Sequence, residues 1–416
     1  MTNKLRKDQY SPSLFDITQD IVGTLPLKLI AKWMESEQTQ EVAQQLLEPY
    51  KVKGYSVSSD SVGLTKLTKQ KGLLEILAII NQPKEILYGF GIALGGYGVG
   101  IWAADNTQMF YPASVNPETL LSALLTIQRE ISKNCQIQIG IGAHYGDFYY
   151  INGGLYGLEA DTIEEITENE TEGGEIAISQ GFYQRLPSNH NFTIVQKDEV
   201  ETIIGNIFRV LDGPILADVP PGNKQYPIPY SQIFYADLIA YQNRQNDPIF
   251  RQELADKYLQ NKVVVLIERE NKDTAAPDVF MFTNLAFSAK MKDIGLRLLA
   301  ESNGEEIKVI GSLGIYIFDE AIAAFNFAQA FRYELAVLDI TTRIGIDTGQ
   351  VLISDLAVGG KDIAGMPVNI ASKMAQDQGE FGKLYVNSTI KELLDLREFT
   401  EITYTVSGVE ITAYQG

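Results

Sequence analysis

A sequence that runs twice through the same order of elements constrains its fold more than any single motif does. This one repeats at an offset of 208 residues: Tyr50 and Tyr258, Asp60 and Glu268, and Asp161 and Asn369 are each separated by that distance. Q-Q-L-L-E-P-Y (44–50) against Q-E-L-A-D-K-Y (252–258) keeps Gln, Leu and Tyr in register and sets acid under acid. Each copy reads as strand, helix and two strands, then a helix, a hairpin, a helix and a closing strand. That order predicts an α+β chain of two βαββαβ sheets, each with helices on one face.

The pattern divides the chain into four parts. Residues 1–49 form a helical leader, with Leu27, Ile30, Ala31 and Met34 and then Val42, Leu46 and Leu47 at helical spacing. Residues 50–213 are the first domain and 261–416 the second. Between them, 214–260 begins with Pro214, Pro220, Pro221, Pro227 and Pro229, which mark a linker, and continues as a second helical leader. The Gly-rich run 88–102 reads as a twisted double strand, since it lacks the following helix that a dinucleotide loop needs. The stretches 138–151 and 342–353 read as hairpins, the second turning at Gly349.

A net charge of -19 argues against binding nucleic acid or an anionic membrane surface. One cysteine, Cys135, excludes an internal disulfide, and with only His144 and His190 beside it a structural zinc site is not expected. No stretch approaches the ~20 apolar residues of a membrane helix. The charged first residues lead into no apolar run, so no signal peptide and a cytoplasmic location are expected.

The most informative stretch is K-D-I-A-G-M-P-V-N-I-A-S-K-M-A-Q-D (361–377). Gly365, Met366 and Pro367 predict a turn and a helix start, after which Asn369 and Lys373 fall one turn apart on one face. An amide and an ammonium so aligned at a helix entrance can grip an anion. Upstream stands T-R-I-G-I-D-T-G-Q-V-L-I (342–353).

Together these segments resemble the catalytic core of the class III nucleotidyl cyclases, with their "G-I-x-T-G-x-V" segment and later "D-x-x-G-x-x-V-N-x-A-x-R". Asp362, Gly365, Val368, Asn369 and Ala371 match the second motif, and Lys373 stands where the family has Arg. The resemblance implies two tandem ferredoxin-like cyclase-homology domains, folded as an intramolecular head-to-tail pseudo-dimer with composite sites between them. It implies Lys308 and Asp362 as readers of adenine, Asn369 and Lys373 as the transition-state pair, and Asp60 as a metal-binding aspartate. Gly96 is taken as the replacement for the second metal aspartate. In the mirror site Ile92, Asp161 and Glu165 stand for the Lys, Asn and Arg, while Glu268 and Ser312 take the metal positions, so that site is expected to be dead. The implied cofactor is Mg or Mn with ATP, bound weakly. The expected function is a catalytically impaired cyclase homologue that binds an adenine nucleotide or serves as a signalling or scaffolding protein. Two alternatives stand beside it: a slow adenylate cyclase, and an interaction module that engages a protein partner through its helical leaders.

Overall fold

The computed structural model describes residues 25–102, 105–244, 247–270, 276–357, 359–377, 379–406 and 409–416; the first 24 residues of the expected leader lie outside these. The chain forms two sheets of eight strands each. In the first, the order is β2-β3-β1-β4-β6-β8-β7, with β5 paired to β4. These strands are β1 (Lys51–Ser61), β2 (Tyr97–Gly98), β3 (Thr107–Pro112), β4 (Ile139–Ile151), β5 (Gly154–Tyr156), β6 (Ile176–Ser179), β7 (Thr193–Thr202) and β8 (Gly205–Asp212). The second sheet repeats the order as β10-β11-β9-β12-β14-β16-β15, with β13 paired to β12. Its members are β9 (Leu259–Arg269), β10 (Glu305–Ile310), β11 (Leu313–Phe318), β12 (Thr342–Asp355), β13 (Lys361–Ala364), β14 (Leu384–Val386), β15 (Thr400–Val406) and β16 (Val409–Gln415). β1 and β9 start 208 residues apart, as do β6 and β14, so the sequence offset is an offset of whole elements.

The central strands are buried on both faces. Along β9, Val263, Val265 and Ile267 pack against Met291, Ile294, Phe327 and Phe331. These belong to two long helices, Pro277–Leu299 and Ala321–Val337. The alternate residues Val264 and Leu266 pack with Ala371 and Ala375, from the helix Met366–Ser372 and the wider turn Lys373–Asp377 that continues it. The expected single helical face is therefore corrected: the helix carrying Asn369 covers the second face of its sheet. Its closeness explains Gly345, where an added Cβ would lie 2.3 Å from the Ala371 carbonyl oxygen.

Three further expectations are corrected. Residues 342–355 form one continuous strand, and Gly349 serves close approach rather than a turn, since a Cβ there would meet Pro367 at 3.1 Å. Residues 139–151 are likewise one strand, with the return at 154–156. The first part of the Gly-rich run, 88–93, is helical, within Asn81–Ala93, and only Tyr97–Gly98 is strand. Gly89 and Gly91 let this helix sit against Pro221 and Met109, contacts that alternation of small and large residues does not reveal.

The halves are joined by crossed packing. The first leader, Leu27–Glu35 and Gln40–Leu47, buries Leu29, Ile30, Trp33 and Leu47 with Ile151 of β4 and with Val279 and Phe282 of the second half. Trp33 stacks on Phe282 at 4.5 Å, and Asp278 accepts from Gln40 at 2.6 Å and from Tyr149 at 2.9 Å. The second leader, Gln232–Asn243 and Pro248–Tyr258, packs Phe234, Leu238 and Tyr258 with Leu352 of β12 and with Leu74, Leu77 and Ile80 of the first half. The proline segment is no free tether: Tyr226 is buried against Trp102, and its hydroxyl donates to Asn81 at 2.5 Å.

Trp33→Ala should lower stability by ~3–5 kcal/mol, the usual cost of truncating a buried indole. In a double-mutant cycle with Phe282→Ala, chemical denaturation should show the two losses to be less than additive, because both variants break the same stacked pair.

Candidate functional site

Lys308 and Asp362 come together, as expected for partners at one site. The β10–β11 ladder shifts register between Glu306 and Lys308, and an extra residue in a strand re-aims the side chains around it. Lys308 Nζ donates to Asp362 Oδ1 at 2.7 Å, with the carboxylate mostly buried. Asn369 and Lys373 lie half-buried on the neighbouring helix. That helix also packs against the helix Leu64–Lys71, which follows β1 in the first half.

Asp60 lies near the end of β1, and the structure supplies a neighbour that the sequence reading missed. Strand register decides its identity. In the second half Glu268 pairs with Leu313, which places Ser312 one residue before its partner strand. In the first half Ser59 pairs with Thr107, so Asp60 faces Asn106 and the residue matching Ser312 is Asp105. Gly96 is thus not the counterpart of the second metal position; it lies beyond the end of the helix Asn81–Ala93, with Tyr111 pressed against it. By the same register Val99, not Ile92, stands opposite Gln108 where Lys308 stands opposite Ile315. Counting back from the strand after the turn would have found both residues; following the glycines led away from them.

Asp60 and Asp105 share a hydrogen bond, and the Ser61 N–H donates to both. Burial, then the charge of Asp105, then that of Glu168, push the Asp60 carboxyl well above its ordinary range; burial also raises Asp105. Two adjacent carboxylates cannot both ionise cheaply, which adds to the upward push on Asp60. A cavity of about 220 Å³ opens beside Asp60, walled by Ser59, Trp102, Thr107, Glu164 and Glu168.

Between the two clusters lies Lys84, from the helix Asn81–Ala93 and only 1% exposed. Its ammonium donates to the Trp102 carbonyl at 2.7 Å. Burial draws its pKa down to about 7, opposed by Asp105 from the first half and Asp362 from the second. Tyr230, buried at the junction, feels the same two carboxylates. The early and late acids therefore converge on shared neighbours.

The mirror position differs. Glu268 is paired with Arg343 at 2.7 Å, and the backbone oxygen of Ser312 accepts from the Arg269 N–H. Elsewhere His144 bridges Ser179 (2.6 Å) and Glu159 (2.8 Å), but Ser179 is fully buried and caps a short helix, so this relay is structural.

No family model matches the chain, and no curated protein matches it. Among solved structures, a class III adenylyl cyclase-like ATP-binding protein from Pseudomonas aeruginosa aligns at 11% identity over 82% of this chain and 85% of that one, with a TM-score of 0.50. The fold is that of the class III nucleotidyl cyclases. An adenylate/guanylate cyclase/hydrolase from Silicibacter pomeroyi aligns at 20% identity over 38% of this chain and 96% of that one, with a TM-score of 0.31. The adenylyl cyclase CyaB from Pseudomonas aeruginosa aligns at 18% identity over 38% and 94%, with a TM-score of 0.31.

The cyclase fold implies divalent cations, and the residues present fit them poorly. Among the described residues no group of three or more His, Cys, Asp or Glu side chains is arranged to hold a metal ion. The two carboxylates that register places there already interact with each other, and Asp105 with the Lys84 ammonium, so a divalent ion would have to displace those contacts. No helix among the described residues is long and apolar enough to cross a membrane.

Asp347, the variable residue of the 342–353 segment, is buried; it accepts from the Thr348 N–H at 2.7 Å and from Asn387. Burial raises its pKa to about 7. A carboxyl raised on folding contributes stability that is complete below its unfolded pKa and is lost as pH rises through the folded value. Thermal midpoints should therefore fall from about pH 4 to above pH 7, and Asp347→Asn should fall less steeply over that window.

Proposed function

We propose that this protein binds an adenine nucleotide in the groove between its halves and is impaired as a cyclase. The observation that carries this reading is the Lys308–Asp362 pair, held at 2.7 Å and facing the same buried lysine as Asp105 of the other half. A lysine donor beside a carboxylate acceptor complements the N1 and exocyclic amine of adenine, whereas guanine presents the reverse pattern. Asn369 and Lys373 would then meet the ribose and phosphates. The Pseudomonas aeruginosa neighbour, described as binding ATP, is consistent with the same ligand class. Impairment follows from Lys373, which lacks the planar fork of an arginine, and from the poor fit of the acidic pair to two metal ions. Losing one such electrostatic stabiliser costs ~10²–10³ in rate.

A second reading, a slow adenylate cyclase, is favoured by Asp105, which supplies the second carboxylate that Gly96 lacks. The interaction-module reading is weaker: the described parts of both leaders bury Leu29, Trp33, Phe234 and Leu238 within the chain. Division at 50–213 and 261–416 goes with this proposal; each unit holds one sheet, save that β9 of the second begins at Leu259.

Titration with a fluorescent ATP analogue should show binding that Lys308→Ala weakens by at least about tenfold. An absence of binding at millimolar nucleotide, with Mg²⁺ or Mn²⁺ present, would remove the ligand claim. In a cyclic AMP assay with Mn²⁺, the wild type and Asp60→Ala should both remain at background; product made by the wild type and lost in the variant would establish the second reading.

A further inference from the structure

Lys84 has no role in the cyclase resemblance, yet it is a lysine only 1% exposed on which carboxylates of both halves act. Burying an ammonium is costly unless carboxylates and hydrogen-bond acceptors surround it. One acceptor here is the Trp102 carbonyl, three residues from Asp105 and 2.7 Å from Nζ, and the Tyr226 ring lies 5.8 Å away. The carboxylates acting on it belong to different halves, Asp105 and Asp362. The counterpart 208 residues later, Lys292, points to a different use: it pairs with Glu306 inside its own half, at 3.7 Å.

We infer that the Lys84 ammonium is a built-in cation, taking the place of a divalent ion between Asp105 and the nucleotide site, so that nucleotide binding does not depend on metal. This rests on the nucleotide-binding reading above and states what supplies the positive charge there. The geometry argues for it in two ways. A side chain that reaches this point from a helix packed by Gly89 and Gly91 is fixed in place, whereas a metal ion must be recruited. The acids it faces also include the register equivalent of a metal ligand, so both cations would compete for one carboxylate.

The test uses the full chain, in buffer just below neutrality. ATP titrations in EDTA and in Mg²⁺ should give wild-type affinities within about threefold of each other. Lys84→Gln, which removes the charge, should bind ATP at least about tenfold more weakly in EDTA and recover when Mn²⁺ is added. Lys84→Arg keeps the charge and should resemble the wild type, which also controls for folding. Mn²⁺ alone, followed by electron paramagnetic resonance, should be taken up by Lys84→Gln and not by the wild type. A wild-type affinity that falls about tenfold or more in EDTA, or equal Mn²⁺ uptake by wild type and Lys84→Gln, would overturn the inference and leave Lys84 a structural lysine. Should ATP bind none of the proteins under any condition, the nucleotide reading fails, and the Mn²⁺ measurement alone still decides whether Lys84 holds a cation position.

Discussion

Each half of this protein leaves one sheet face to be completed from outside its own helical core, and the rest of the structure follows from how that face is covered. On the core side, alternate residues of the central strands meet long helices. On the other side, a short helix and a pair of leader helices close over strands whose backbone groups must stay dry and paired. Because each leader is wedged between the long strand of one half and the first helical segment of the other, burial of Trp33 or Phe234 also fixes where the halves sit. The groove proposed above would be a by-product of this apolar packing.

Within that groove the electrostatics are those of a site that balances its own charge. An overall charge of -19 would repel a triphosphate, so any anion that enters must find local compensation. Lys308 and Lys84 bring it, the first bonded to Asp362 and the second acted on by Asp105 and Asp362. The mirror positions carry other charges: Asp161 and Glu165 stand 208 residues before Asn369 and Lys373, and Glu268 is paired with Arg343. One duplicated plan thus carries two different charge patterns.

Much of this was legible in the sequence because it depended on spacing. The offset of 208 is set by whole elements, and Lys308 and Asp362 are assigned to one site by their motif positions, although their strands, β10 and β13, are not hydrogen-bonded neighbours. What was not legible depended on register and on helix packing. Asp105 is found only by counting back from the strand that pairs with β1, since the loop before it has no counterpart in length between the halves. The helix over Asn81–Ala93 was hidden by its glycines, which there serve close contact with Met109 and with the proline segment. Lys84 belongs to no motif, and its surroundings combine Trp102, nearby in the chain, with Tyr226, more than a hundred positions away.

The proline segment that clasps the first half has a consequence for how such a protein diverges. In an assembly of two identical chains, a substitution near the shared groove appears twice, once on each side of the symmetry axis. Here the two sides are covalently one molecule, and Tyr226 and Trp102 keep the connecting strap laid down. Dilution cannot separate the halves, and a change on one side is felt in one groove alone. Such a chain is free to let one cleft decay into packing while the other keeps its polar lining.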